Sequence, residues 1–464
     1  LVWFRNDLRL ADNPALIAGL GSGQPVVPLY ILDEETPGLR PMGAASRWWL
    51  HHSLSSLDAS LRALGSRLIL RRGPAEKVID EVAAEYDATS IYWNRAYDQP
   101  TRERDARVKQ SFNRRGLFAK SLKGNLLYEP WEVKTGSGGS FKVFTAFWRA
   151  CRELPSPDAG LPPPKSLPAP TKWLASDTLG DWELLPVAPD WAGGMRATWT
   201  PGEDNAKRRL SAFLDTALAN YRDARDLPAV PATSRLSPYL AFGEISPRQI
   251  WRAATARGMS AATEKFLAEV GWREFSYNLL YHHGDLSRHN FRSEFDSFPW
   301  ICEDGILDAW CRGRTGYPIV DAGLRELWTT GWMHNRVRMI VASFLTKDLL
   351  IDWRAGERWF WDTLVDADPA NNAAGWQWVA GCGADAAPFF RIFNPVLQGE
   401  KFDPRGDYVR RWLPELRGLP ADVVHRPWDA DPRLPAEIYP QRIVDHAKAR
   451  DRALVAFRSL KKPA

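Results

Sequence analysis

The octapeptide NNAAGWQW (371–378) puts two asparagines and two tryptophans within eight positions, and two carboxylates, Asp366 and Asp368, lie just upstream. Flat aromatics, a hydrogen-bonding amide and paired acids in one place suit two chemistries. Carboxylates flanked by indole platforms can grip and cleave a sugar. The same groups can hold a flat heterocycle by its edge and face. Two further stretches mix residue types in the same way. In FLAEVGWREF (266–275), Glu269, Trp272 and Arg273 stand at i, i+3 and i+4, on one face of a helix. In GWMHNRVRM (331–339), Asn335, Arg338 and Met339 repeat that spacing. In DPANNAAGW (368–376), Asp368 is expected as the N-cap and Pro369 as the first helical residue, with Asn372 and Trp376 following at steps of four. A surface helix segregates charge from apolar bulk, so these mixed faces point into a polar-lined pocket.

The elements that must position these faces divide the chain. Over residues 1–130, buried strand runs at LVWFRN (1–6), VVPLYILD (26–33), RLILRRG (67–73) and SIYWNRA (90–96) alternate with helical stretches at 45–64 and 74–86. That alternation predicts a parallel α/β domain with flanking helices. No GxGxxG follows the first strand, so a dinucleotide fingerprint is absent. Residues 131–196 form a connecting segment, with the Pro-rich LPSPDAGLPPPKSLPAP (154–170) draped over the surface. From 197 to 464 the periodicity is helical. An α/β unit followed by an all-helical domain offers no barrel for a sugar cleft, and Arg273 and Arg338 give the acids counter-charges suited to structural pairing. Both observations favour the heterocycle, an isoalloxazine ring.

A chain of 464 residues is long enough for two or three domains. A net charge of +5 permits an anionic partner. The 23 tryptophans are mostly core and interface filling, with room for a few as stacking platforms or redox groups. Cys151, Cys302, Cys311 and Cys382 make no CxxC pair and the eight histidines show no metal spacing, so no metal site is expected. The longest apolar runs, such as MIVASFL (339–345), are too short to span a membrane. The charged opening LVWFRNDLRL is unlike a signal peptide, and a few residues are expected ahead of Leu1. These features predict a cytoplasmic, reduced protein.

Several motifs, nearly end to end and in register, resemble the photolyase/cryptochrome family. They are VWFRNDLRLADNPAL (2–16), TSRLSPYLAFGEISPRQIW (233–251), WREF (272–275), GRTGYPIVDAGLRELWTTGWMHNRVRM (313–339), NNAAGWQW and FFRIFNPVLQGEKFD (389–403). The resemblance implies a helical domain that binds FAD in a U-shaped conformation. By position, Tyr221 and the run Thr233, Ser234, Arg235, Leu236, Ser237 match the family's phosphate and ribityl contacts. Read alone, Thr233 or Ser234 is better explained as a helix cap. Arg338 and Asp366 match the ion pair beside the flavin ring, Asp368 the acid at its pyrimidine edge, and Asn372 the residue facing N5, with Arg273 nearby. Trp376, Trp353 and Trp300 match the photoreduction chain; Trp332 and the WFW at 359–361 leave room for another route. Glu269, Asn335, Met339, Trp272 and Trp378 match the cavity that receives a flipped-out pyrimidine dimer. Arg225, Arg336 and Arg391 match contacts near the backbone of UV-damaged DNA or near the lesion. What the resemblance implies is light-driven splitting of cyclobutane dimers by electron transfer from reduced FAD.

Within the family, MHNRVRM lacks the His-rich helix expected of a (6-4) photolyase. Val337 and Met339 replace the Gly and Gln usual in DASH proteins, and Asn372 replaces the Asp of plant cryptochromes. The pattern resembles a cyclobutane pyrimidine dimer photolyase of class I or class III. A cryptochrome-like photoreceptor and a (6-4) enzyme are the alternatives. Folate-binding class I members usually carry an Asn-Glu pair after the fourth strand; YDQPTRERD (97–105) has Pro100 and Thr101 there. A folate antenna, 5,10-methenyltetrahydrofolate, is the first expectation and 8-hydroxy-5-deazaflavin the second, with no antenna as the remaining alternative. A monomer is the family default. The short ending after LVAFRSLKKPA lacks the extended tail of signalling cryptochromes.

Overall fold

The computed structural model describes residues 1–464 except 159, 302, 387–389, 431–433, 461–464 and the side chain of residue 304. Cys302, Ala159 of the Pro-rich stretch and Phe389 of the FFRIFNP motif therefore lie outside the described residues. Four strands form where buried runs were expected: β1 (Val2–Phe4), β2 (Pro28–Leu32), β3 (Ile69–Arg72) and β4 (Ser90–Asn94). A fifth, β5 (Phe118–Leu122), was not anticipated. It sits at the sheet edge beside β4, and its residues are partly or fully exposed, so no buried apolar run marks it. All pairings are parallel, in the order β3-β2-β1-β4-β5.

Side chains alternate across this sheet with a period of two. Trp3, Leu29, Ile31, Ile69, Ile91 and Trp93 face one core with the Ala75–Glu85 and Gln99–Arg114 helices. Val2, Phe4, Tyr30, Leu32 and Tyr92 face the other, with Trp48 and Trp49 of the Ala44–Ala63 helix. That second core runs on into Tyr239, Phe242, Phe266 and Phe275 of the helical region.

Polar groups weld the two regions. The buried Arg9 donates to the carbonyls of Gly124 (2.6 Å) and Gly243 (2.8 Å). Asp12 pairs with Arg248 at 2.9 Å, and Glu274 accepts from the Leu127 N–H at 2.8 Å. Burial raises Glu274 to about 7 and Glu244, which accepts from Trp49 Nε1, to about 8. The connecting segment touches the α/β region, with the Val26 N–H donating to the Pro168 carbonyl and the Asp177 N–H to the Leu70 carbonyl.

From Glu203 onward the described elements are helical, apart from one isolated bridge between Ile301 and Ile351. Ala261–His283 is capped by Ser260, Asn335–Ser343 by His334 and Trp353–Thr363 by Asp352. One expectation is corrected. The helix carrying NNAAGWQW runs Asn371–Ala380, with Ala370 and not Asp368 at the N-cap position. Asp368 Oδ1 accepts from the N–H groups of Ala370 (2.9 Å) and Asn371 (2.6 Å), so it fastens a turn ahead of the helix and Pro369 stays outside. Among the described residues no helix is long and apolar enough to cross a membrane, and no group of three His, Cys, Asp or Glu gathers as a metal site.

Candidate functional site

The three mixed helix faces converge on one cavity of about 590 Å³. The 261–283 helix contributes Glu269, Trp272 and Arg273, and the 335–343 helix Asn335, Arg336, Arg338 and Met339. Asp366, Asp368, Asn372, Trp376 and Trp378 come from the 371–380 helix and its approach. Tyr221, Arg225, Ser234, Leu236 and Ser237 close the remaining side. Thr233 and Arg235 line a neighbouring cavity instead, and neither Thr233 nor Ser234 caps the Ser237–Ala241 helix. Trp353, Trp300 and Arg391 do not line the first cavity.

One end of the cavity is a charged cradle. Arg338 Nη2 meets Asp366 Oδ2 at 2.8 Å while its Nε donates to the Met333 carbonyl. The other oxygen of Asp366 is buried without a partner, as is Nε of Arg273. Burial pushes Asp368 above the usual carboxylate range, although Arg273 and the turn N–H groups act against it. Asn372 donates its amide N–H to Glu357, at 2.8 Å to Oε1 and 3.1 Å to the carbonyl. Glu357 is itself held by a two-pronged pair to Arg40, at 2.7 and 2.9 Å. A carboxylate so paired only accepts, which fixes the amide orientation and leaves Asn372 Oδ1 for a ligand. Sequence reasoning missed Glu357 and Arg40. Glu357 stands four residues after Trp353 on a buried face, a legible signal; Arg40 is 317 positions away and left none.

The same cavity is also lined by the large apolar side chains of Trp272, Met339 and Trp378. Trp272 stacks on Phe144 of the connecting segment, with centroids 3.8 Å apart and planes 9° off parallel, so one indole face is spent. Phe144 too went unpredicted. Glu269 is engaged by Arg225 and, at 3.2 Å, by Lys265. Arg225 is therefore a partner of the cavity's carboxylate and not a free surface charge. Arg336 pairs with Asp226 at 2.7 Å, whereas Arg391 is exposed.

The three aligned tryptophans lie on adjacent segments. Trp376 is buried, with its ring against Gly356, where a Cβ would come within 2.2 Å of it. Trp353, one turn earlier on that helix, is fully buried and donates to Asn290 Oδ1 at 2.9 Å. The Ile301–Ile351 bridge ties its segment to that of the partly buried Trp300. Trp332 instead bonds Ser237 Oγ at 3.3 Å, and Trp359 stacks on the exposed Trp328. At the antenna position, Pro100 and Thr101 belong to the first turn of the 99–114 helix, where the Asp98 carboxylate accepts from the Thr101 N–H.

Family models match both regions. Residues 1–169 match the model described as DNA photolyase, and residues 266–459 the FAD binding domain of DNA photolyase. The chain belongs to the photolyase/cryptochrome family. It is 52% identical to the deoxyribodipyrimidine photo-lyase of Agrobacterium fabrum, over 100% of this chain and 98% of that one. It is 40% identical to cryptochrome-1 of Arabidopsis thaliana, over 93% of this chain and 65% of that one. Its structure resembles a class III photolyase from Agrobacterium tumefaciens, with a TM-score of 0.96, 51% identity and coverage of 100% and 97%. The family's cofactor, FAD, fits what the cavity offers. Asp366 and Arg273 each keep a buried polar atom in want of a partner, and Asn372 and Asp368 offer edge contacts beside them.

Proposed function

We propose that this protein is a light-driven DNA repair enzyme that splits cyclobutane pyrimidine dimers, as a class III photolyase. The observation that carries the reading is the continuity of the cavity: the cradle of Arg338, Asp366, Asp368 and Asn372 opens directly onto the wall of Glu269, Trp272, Asn335, Met339 and Trp378. When bound and reduced, FAD supplies light absorption and one-electron transfer. The protein's residues do the rest. Trp272 and Trp378 receive the flat, already unstacked dimer bases. Asn335 and Glu269 hold their polar edges: the Glu269 carboxylate, paired as it is, accepts from a base N–H, and the Asn335 amide donates to a base carbonyl where negative charge develops. Arg225 and Lys265 keep Glu269 oriented until the dimer arrives. Arg336 and Arg391 meet the DNA backbone, while Trp376, Trp353 and Trp300 form the route by which the cofactor is returned to its reduced state. The antenna is a folate, bound away from the usual class I contacts.

The test is reversal of thymine dimers in a single-stranded oligonucleotide by pre-reduced protein, with a dark control. Reversal only in the light supports the reading. No reversal with FAD bound sinks it and moves the assignment to a cryptochrome photoreceptor or a (6-4) enzyme, which (6-4)-containing DNA then separates.

A further inference from the structure

Behind the turn that borders the first cavity lies a second, of about 550 Å³. Its walls come from the 203–216 helix, the 228–235 loop and the Trp332–His334 segment, and Ser234 alone among the 233–235 turn lines both cavities. A volume of this order accommodates a small ligand.

Its charge is one-sided. Arg208, Arg209, Arg235 and Arg411 all line it, and among the described residues none of them forms an ion pair. Glu326 is the one acidic lining residue, and its Oε2 already accepts from Tyr408 Oη (2.6 Å) and the His334 N–H (3.2 Å). Among the described residues, Arg208 is held by Asn205 Oδ1 and Arg411 by a long 3.5 Å contact to the Ala229 carbonyl. Arg235 is clamped between Trp199 (4.6 Å) and Trp332 (4.5 Å), and its Nε has no partner. Its backbone is left-handed, with φ +51°, a strained conformation for a side chain of this size.

His334 supplies the independent observation. The residue is only 3% exposed, and its Nδ1 accepts from the Arg336 N–H at 3.2 Å. Burial, with the nearby arginines, pushes the imidazole down to about 4, so the ring is neutral near pH 7. With Nδ1 accepting, the single ring proton resides on Nε2, which is buried in the cavity wall with no acceptor. A buried donor left without a partner is costly. Two orphan donors beside four guanidinium groups, with Glu326 facing Arg235 as the one lining acid among the described residues, are satisfied together by oxygens that carry negative charge. An apolar ligand would leave them unpaired, and a cation would be repelled.

We propose that this cavity is a second ligand site, taking the phosphate group of a small anion up to nucleotide size, separate from the flavin cradle. His334 Nε2, Arg235 Nε and the guanidinium groups of Arg208 and Arg411 hold the phosphate oxygens. Because His334 also caps the helix that carries Asn335 and Arg338, occupancy stiffens the wall shared with the first cavity.

The test is calorimetric titration of FAD-loaded protein with pyrophosphate and with adenosine monophosphate, in low-salt chloride buffer. Saturable one-to-one binding is expected, weakened about tenfold or more by Arg208→Gln combined with Arg411→Gln, given what charge-assisted hydrogen bonds contribute. Both arginines are exposed, so flavin content and melting temperature of the double variant should match the parent. A dimer-containing oligonucleotide that displaces pyrophosphate makes the phosphate one of the nucleic-acid backbone; simultaneous binding makes it a free metabolite, and either result upholds a phosphate site. Three results overturn it: no saturable binding in the millimolar range, binding unchanged in the double variant, or stoichiometric release of FAD by the probe.

Discussion

At the carboxyl ends of β1 and β4 the strand order reverses, and a doubly wound sheet normally keeps its ligand crevice there. Here that position is filled by protein. Asn94 donates to Asp7 Oδ2 (2.6 Å) and Asn13 Oδ1 (2.8 Å) and accepts from the Ala15 N–H (3.2 Å). Gly124 presses so close that a Cβ there would lie 2.4 Å from Asn94 Cγ. Arg9 then fastens the assembly to Gly243 of the helical region. The helical cavity is built from similar residue types but leaves Asp366 Oδ1 and Arg273 Nε unsatisfied. Ligand site and weld thus differ less in composition than in whether the protein has already met its own hydrogen-bonding needs.

The sharpest way to break this contrast is Asp366→Ala. Removing one partner of a largely buried pair costs about 2–4 kcal/mol, so the purified protein should lose most of its flavin absorbance. Retention of full colour would mean the cradle is misassigned. Trp376→Phe should abolish photoreduction while dithionite-reduced protein still repairs; equal loss of both activities would make Trp376 a structural residue only. Glu269→Ala should slow repair about 10–100-fold with flavin content unchanged, the size expected when one contact that positions the dimer is lost. A colourless variant would contradict its placement outside the flavin cradle.

The weld is tested by Asn94→Ala, which takes from Asp7 Oδ2 its 2.6 Å donor and should lower stability by about 1–3 kcal/mol. Flavin per folded protein and repair rate should not move; if they did, the crevice would be functional after all. The smallest effect is on pH dependence. Glu274 goes from 4.5 in the unfolded chain to about 7 when folded, so the native state binds the extra proton and stability falls as pH rises across that window. Glu274→Gln should flatten that part of the melting-temperature profile. Glu244, displaced in the same sense, should keep some slope.

How legible the site was depended on distance along the chain. Within one helix, spacing alone put Glu269 with Trp272 and Arg273, and Asn335 with Arg338, on shared faces, and the cavity collects them all. β5 escaped because an edge strand needs no buried run, and the 371–380 helix start slipped because Asp368 spends its carboxylate on a preceding turn. Phe144 behind Trp272 and Arg40 behind Glu357 were invisible, since nothing local requires either contact. Arg225 was matched to the neighbourhood of the DNA backbone or lesion, and its pairing with Glu269 of the cavity is again a contact between distant segments that no local spacing encodes.

By itself the sequence determined the parallel α/β region, the helical region after it and the mixed faces that needed a pocket, because period and capping are properties of neighbours within a few residues. Only the tertiary structure decided which polar groups found partners across the chain. That choice closed the crevice at Asn94, left Asp366 and Arg273 open, turned Arg235 away from the first cavity and stranded His334 Nε2 in the second. Satisfaction of a buried donor or acceptor is a matter of geometry between distant segments, and no periodicity encodes it.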